Sequence, residues 1–333
     1  MHVLVTGATG GLGRNAVDFL LEQGVDVRAT GRNAQVGSAL RQRGAQFMGL
    51  DLVTADGPAL RALLDGVHAV WHCAALSSPW GARERFQDCN VRATSRLVQA
   101  AGECGVSRFI HVSTPAIYFD YSHRHGVNES FRARRPVNHY ARTKALAEDA
   151  VQEAGLRFPS MRVAILRPRA IFGPHDQVLV PRLQEMLRQH GGRLPLPRGG
   201  RVVIDMTYVG NVVQAMWLAT RRAELSSGLA FNITNGEPAP IAKVLHRLFT
   251  RELGWRMQIL DVPPLALAAA ATVMECQALF TRREPRLTRY SVGVLSYDMT
   301  LDLARARALL GYEPAVSLEQ GIARTADWLK SHG

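Results

Sequence analysis

The chain has 333 residues, 47% of them hydrophobic and 20% charged, as expected of a soluble globular protein with one large domain or two lobes sharing a core. Forty basic residues against 28 acidic ones give a formal charge of +12, enough to attract nucleic acid, anionic lipid or an anionic substrate. No zinc-finger spacing and no aromatic–basic stacking motif is present, so nucleic acid is not an expected partner.

The first half alternates strand and helix. HVLVTG, from His2, reads as a strand and GLGRNAVDFLLEQG as a helix closed by Gly24. DVRATGR and AQFMGLDL are the next strands, with helices AQVGSALRQRG and GPALRALLDG after them. HAVWHCAA, RFIHVST and RVAILRP follow as strands, with helices through NVRATSRLVQAAGECG and residues 140–155. Short apolar strands alternating with helices predict an α/β fold, a Rossmann-type doubly wound parallel sheet covered on both faces. After Phe172 the rhythm changes. We assign 1–172 to this sheet domain, with returning segments at about 202–216 and 228–234, and 173–201 and 235–333 to a smaller, partly helical substrate or lid lobe. The sequence starts directly on a strand, leaving no room for a cleaved leader. The four cysteines have neither CxxC nor metal spacing. Buried thiols in a reducing, cytoplasmic compartment and no bound metal are therefore expected.

TGATGGLG places Gly7, Gly10 and Gly13 between the first strand and its helix. Glycine there permits the turn, the approach of a pyrophosphate and close helix packing, while the helix N-terminus offers free N–H groups. Thr9, Gly11 and Leu12 complete this dinucleotide loop. The ribose is read near the end of the second strand, where NAD sites usually carry an acid. VRATGRN has none from Val27 to Asn33, and Arg32 stands where a guanidinium fork can bind a 2′-phosphate, which favours NADP(H) over NAD(H). Arg28 either helps or points to the opposite face. Asp51, followed by Leu52, suits the adenine amino group, and the small Ala74 and Ala75 let a cofactor lie on a strand end.

Tyr140 and Lys144 in NHYARTKALAE are i and i+4, on one helix face. With TGATGGLG, LDL, HCAA, HVSTPAIY, YARTK, LRPRAIFGP and FNITNG in this order, the chain resembles the extended short-chain dehydrogenase/reductase superfamily, the NAD-dependent epimerase/dehydratase group, over nearly its whole length. The resemblance makes Tyr140 the catalytic acid/base, Lys144 its partner and Thr114 the hydroxyl that holds the substrate oxygen. It places Ser113, Asn90 and Pro168 beside the cofactor, and Ser77, Ser78, Trp80, Thr114 and Tyr118 at the substrate. A free tyrosine titrates near pH ~10. One ammonium ~6 Å away, at an effective dielectric of ~20, would favour its phenolate by about 3 kcal/mol.

Departures from the family pattern narrow the reaction. Thr114 is followed by Pro115 and Ala116, not by the Asp–Glu pair of the sugar dehydratases. Ala170 stands where nucleotide-sugar enzymes tend to carry a diphosphate-binding asparagine. LRPRAIFGP resembles the 3β-hydroxysteroid dehydrogenase branch, and ALSSPWGARERFQDCNVRAT with IYFDYSHRHGVNES looks like bacterial reductases of 2-alkyl-3-oxoalkanoates. The expected activity is an NADP(H)-dependent interconversion of a 3-keto and a 3-hydroxy group on a bulky apolar substrate. The rivals are a nucleotide-sugar epimerase or dehydratase, a hydroxysteroid dehydrogenase/isomerase and a non-enzymatic dinucleotide-binding regulator. VPPLALAAAATVMECQALF, followed by Arg282, Arg283, Arg286 and Arg289, reads as a lid, a membrane-interface helix or a core helix, with peripheral membrane contact through 262–289 as one outcome. These arginines would also suit a substrate carboxylate. Homodimerisation through a helical face is common in the superfamily.

Overall fold

The computed structural model describes residues 1–281 and 283–332; Arg282, one of the arginines singled out above, lies outside them. Seven parallel strands form the main sheet, in the order Leu229–Ile233, Arg162–Pro168, Arg108–Val112, Ala69–His72, His2–Thr6, Asp26–Gly31, Gln46–Gly49. The chain starts in the middle of the sheet and runs to one edge. It then returns to Ala69–His72 and continues to the other edge, so the strand order reverses between His2–Thr6 and Ala69–His72. In open α/β sheets that reversal opens a ligand crevice at the carboxyl ends of the strands.

Alternation along each strand supplies two cores. Val3 and Val5 face helices Gly11–Glu22 and Val209–Arg221, through Val17, Leu20, Val212 and Met216. Leu4 faces the opposite side, where helices Gly57–Leu64, Ala93–Glu103 and His139–Arg157 bring Leu63, Leu97 and Val151.

The second lobe has its own core around Leu194, Leu196, Phe249 and Ile322. A four-stranded sheet joins Ala239–Pro240, Val203–Ile204, Met299–Leu301 and Arg124–Val127. Residues 202–208, assigned above to the main sheet's domain, fall in small sheets instead. Val203–Ile204 joins the four-stranded sheet, and Thr207–Tyr208 pairs with Ile171–Phe172. The following helix is what returns to the main sheet. Thr207 ties the pieces together, its Oγ1 donating to the carbonyls of Arg169 (2.6 Å) and Ile233 (3.1 Å). The cysteines are free, and Cys104 and Cys276 are exposed, which corrects the expectation of uniformly buried thiols.

Candidate active site

The glycine loop lies at the reversal point. Gly7 has φ +64°, and a Cβ there would fall 2.8 Å from the Ala74 backbone, so the loop and the Ala69–His72 strand end abut. At Gly13 a Cβ would lie 2.2 Å from the Gly7 carbonyl oxygen. Helix Gly11–Glu22 starts with no side-chain cap and no acid in its first turn, leaving its N–H groups and positive dipole end for an anion. A dinucleotide pyrophosphate fits this cradle. Thr9 packs on Gly31, where a Cβ would be 2.6 Å from Thr9 Oγ1, and Leu12 is partly buried against the core. The second lobe also reaches this loop, a contact with no local trace in the sequence. Asn15 Nδ2 donates 2.9 Å to the Pro174 carbonyl, and a Cβ on Gly11 would meet the His175 carbonyl oxygen at 2.7 Å.

At the other end of the crevice Arg32 is exposed, with Nη1 3.8 Å from Asp51 Oδ2. Asp51 Oδ1 accepts from the Val53 N–H at 2.9 Å, and Leu52 is buried. Arg28 points to the other face, its Nη1 donating to the carbonyls of Leu63 (2.9 Å) and Asp65 (2.8 Å) at the end of helix Gly57–Leu64. It therefore takes no part in ribose recognition. Ala74 is partly buried and Ala75 exposed along the strand end.

Helix His139–Arg157 is capped by Asn138, whose Oδ1 accepts from the Ala141 N–H at 2.8 Å. One turn in, Tyr140 is half-buried with its phenol facing Ser77 and Thr114. Burial raises the phenol's pKa, and hydrogen bonds with these two hydroxyls oppose the rise. Lys144 is buried, and its Nζ donates to the Val112 carbonyl at 2.7 Å and lies 3.1 Å from His111 Nε2. Burial lowers its pKa to about 8. The sequence-based expectation was that Lys144 pulls the tyrosine down. Here the ammonium is engaged with the strand end, and the hydroxyls of Ser77 and Thr114 favour the phenolate instead. Thr114 is the cap of the turn Pro115–Tyr118, its Oγ1 accepting from the Ala116 N–H at 3.2 Å.

Other predicted residues hold the site rather than line it. Tyr118, expected at the substrate, is fully buried; its hydroxyl donates to Asn232 Oδ1 (2.8 Å) and accepts from Arg167 Nη1 (2.6 Å). Arg167 also grips Glu148 through Nε at 2.9 Å and Nη2 at 2.6 Å, fixing the helix that carries Tyr140 and Lys144. Asn90, expected to order the active site beside the cofactor, bonds both the N–H (2.7 Å) and the carbonyl (3.1 Å) of Leu76 and reaches Thr143 at 3.2 Å. It locks the Ser77 loop to the helix that carries Tyr140 and Lys144. Ser78 accepts from the Trp80 N–H at 3.2 Å and donates to the Trp80 carbonyl at 2.8 Å, shaping its own turn. Ser113 is buried with no partner for its hydroxyl among the described residues, and Pro168 is buried beside Ile233.

Sequence reasoning missed three residues. His111 touches Lys144, and burial holds its imidazole well below its ordinary pKa. Tyr290, on helix Arg289–Val294, is close enough to both Tyr140 and Arg169 to interact with each electrostatically. Arg169, directly after Pro168, is 7% exposed; its Nη1 contacts Met299 Sδ at 2.9 Å, while Nε and Nη2 have no partner among the described residues. Asp205, held by the Leu301 N–H (2.7 Å) and Thr234 (3.3 Å), is not in ion-pair contact with it but is near enough for each charge to favour the other. Around Tyr290 and Met299 stand Phe119, Phe131 and Tyr297, an aromatic and apolar wall. Ala170 next to Arg169 has φ +44°, a conformation that asparagine and glycine adopt more readily.

A parallel sheet with this reversal, a glycine-loop cradle and a Tyr–Lys helix beside a threonine define a dinucleotide-dependent enzyme of the α/β class. Residues 3–234 match the model of the NAD dependent epimerase/dehydratase family, and the chain belongs to that family. It is 45% identical to the uncharacterized protein YbjS of Escherichia coli, with 100% of this chain and 99% of that protein covered. It is 33% identical to the 2-alkyl-3-oxoalkanoate reductase of Stenotrophomonas maltophilia, covering 97% of this chain and 98% of the reductase. Identity is 30% to the mouse (Mus musculus) sterol-4-alpha-carboxylate 3-dehydrogenase, decarboxylating, with 96% and 89% covered. The structure of UDP-glucuronic acid 4-epimerase from Bacillus cereus, in complex with UDP-glucuronic acid and NAD, superposes with a TM-score of 0.78 at 22% identity, covering 100% of both chains. That likeness shows the shared fold.

Proposed function

We propose that this protein is an NADP(H)-dependent reductase of 3-oxo acids with apolar tails, of the 2-alkyl-3-oxoalkanoate kind. The observation that carries the reading is Arg169, a buried guanidinium with two unpartnered nitrogens, set in an apolar wall next to the Tyr290–Tyr140 pair. A buried guanidinium with no carboxylate in contact among the described residues is costly, and a carboxylate is the anion whose geometry matches its fork. The names of two relatives agree. In a 2-alkyl-3-oxoalkanoate and in a sterol-4-alpha-carboxylate alike, the carboxyl sits on the carbon next to the reacting C3.

The residues divide the work as follows. The glycine loop holds the pyrophosphate and Arg32 the 2′-phosphate. When bound, the nicotinamide supplies the hydride to C3. Tyr140 gives its proton to the ketone oxygen, and Thr114, with Ser77 beside it, holds that oxygen in place. Lys144 holds its ammonium on the Val112 carbonyl and His111, at the end of the strand that leads to Thr114. Arg169 takes the carboxylate, which requires the Tyr290 helix to yield because the guanidinium is closed off. Phe119 and Tyr290 face the apolar tails. With no acid after Thr114 and no amide at Ala170, neither water elimination nor diphosphate binding has its usual residues here.

The test compares oxidation of a 2-alkyl-3-hydroxyalkanoate with that of its methyl ester, using wild type and Arg169→Met. The acid should be oxidised with NADP⁺. Losing either the carboxylate charge or Arg169 should raise KM roughly hundredfold. An ester used as well as the acid would remove Arg169 from recognition, and no turnover of the acid would end the substrate assignment.

A further inference from the structure

Helix Pro264–Thr281 is strongly apolar in composition, yet only three of its 18 residues are buried. A helix with that composition normally lies inside a core. Here one narrow stripe, Ala271, Glu275 and Ala278, faces inward. The opposite face exposes Leu265 (85%), Val273 (57%), Leu279 (70%) and Phe280 (88%). Its polar members are Thr272, Gln277 and Thr281, and it carries no charge. The helix's one acid, Glu275, is turned inward, accepting from the Arg289 N–H at 2.8 Å and from Arg289 Nε at 2.7 Å. Beyond its C-terminal end stand the exposed Arg283 and Arg286.

We propose that this helix seats the protein on an anionic lipid surface, lying in the plane of the interface. Both of its ends return to the same lobe. Strand Gln258–Val262 before it pairs with Arg193–Pro197, and helix Arg289–Val294 after it packs against it, so the helix cannot thread through a bilayer. Eighteen residues span about 27 Å, enough to lay a row of apolar side chains along the headgroup boundary. Exposed arginines next to that row, on a chain of charge +12, complement acidic headgroups. The helix it packs on carries Tyr290, so the lipid contact adjoins the candidate active site. This inference rests on the exposed face and its flanking arginines and is independent of the substrate proposed above.

The test is cosedimentation with vesicles of phosphatidylcholine, with and without phosphatidylglycerol, for wild type and for the double variant Leu279→Glu/Phe280→Glu. Both side chains are exposed, so thermal melting should show the variant folded. Wild type should pellet with the phosphatidylglycerol vesicles, less so at high salt, and the variant should bind roughly a hundredfold more weakly. Wild type remaining in the supernatant would overturn the proposal. So would equal binding by the folded variant, or a wild-type dimer in sedimentation velocity that the variant dissociates, which would make this face a contact between copies.

Discussion

Lys144 Nζ lies 3.1 Å from His111 Nε2, and the same ammonium donates to the Val112 carbonyl. A buried lysine is thus held by a neutral imidazole and a carbonyl at the end of the strand that leads to Thr114. Its pKa falls from 10.5 to about 8 because burial outweighs the attraction of Glu148. The unfolded chain binds this proton more tightly, so the charge opposes folding below pH 8, and the penalty fades as pH rises from 8 towards 10.5. Lys144→Met should abolish turnover yet stabilise the protein by about 1–3 kcal/mol at neutral pH. Urea denaturation at two pH values checks both statements, since the gain should shrink in alkali.

His72 and His111 stack with ring centroids 5.4 Å apart, buried beneath the site. Burial depresses both imidazoles, His72 to about 3. The sign follows from the unfolded chain, whose histidines protonate near pH ~6.5 while the folded ones stay neutral. This contribution to stability is complete above pH ~6.5 and is lost as pH falls towards the folded values. Each histidine should add about 1.4 kcal/mol of destabilisation per pH unit in that window. His72→Gln should flatten the acid limb of a stability–pH curve, and an unchanged slope would show that His72 is not kept neutral.

The Arg167–Glu148 pair is 2% and 0% exposed and anchors the Tyr140 helix to strand Arg162–Pro168. Glu148→Gln leaves the Arg167 charge buried without its counterion. A loss of about 3–5 kcal/mol in folding stability is expected, measurable by chemical denaturation.

Arg32 is exposed, and among the described residues its one ion pair, with Asp51, is long at 3.8 Å, which leaves the guanidinium available to the 2′-phosphate proposed for it. Arg32→Asp should weaken NADPH binding by about tenfold or more and favour NADH, as read by nucleotide fluorescence titration. Equal losses for both nucleotides would place Arg32 outside the 2′ site.

The strands of the main sheet were legible because their apolar runs are short and each is closed by a turn signal. The glycine loop was legible because close backbone approach leaves a local trace; Tyr140 and Lys144 share a helix face by spacing, but their roles and that of Thr114 were read from the resemblance carried by the ordered motifs. The anchoring role of Tyr118 was not, since its partners Arg167 and Asn232 are 49 and 114 residues away. Arg169 and Tyr290 were missed for the same reason, as only tertiary packing brings them to one wall. Composition alone could not separate a core helix from an exposed one over 264–281, because the distinction lies in what packs against it.

The most direct measurement follows nicotinamide absorbance in wild type and Tyr140→Phe, with a 2-alkyl-3-hydroxyalkanoate and NADP⁺. Wild type should reduce NADP⁺, and Tyr140→Phe should lose about a hundredfold or more of that rate with nucleotide binding retained. No reduction by nucleotide-bound wild type, or an undiminished rate in Tyr140→Phe, would contradict the proposed reductase function.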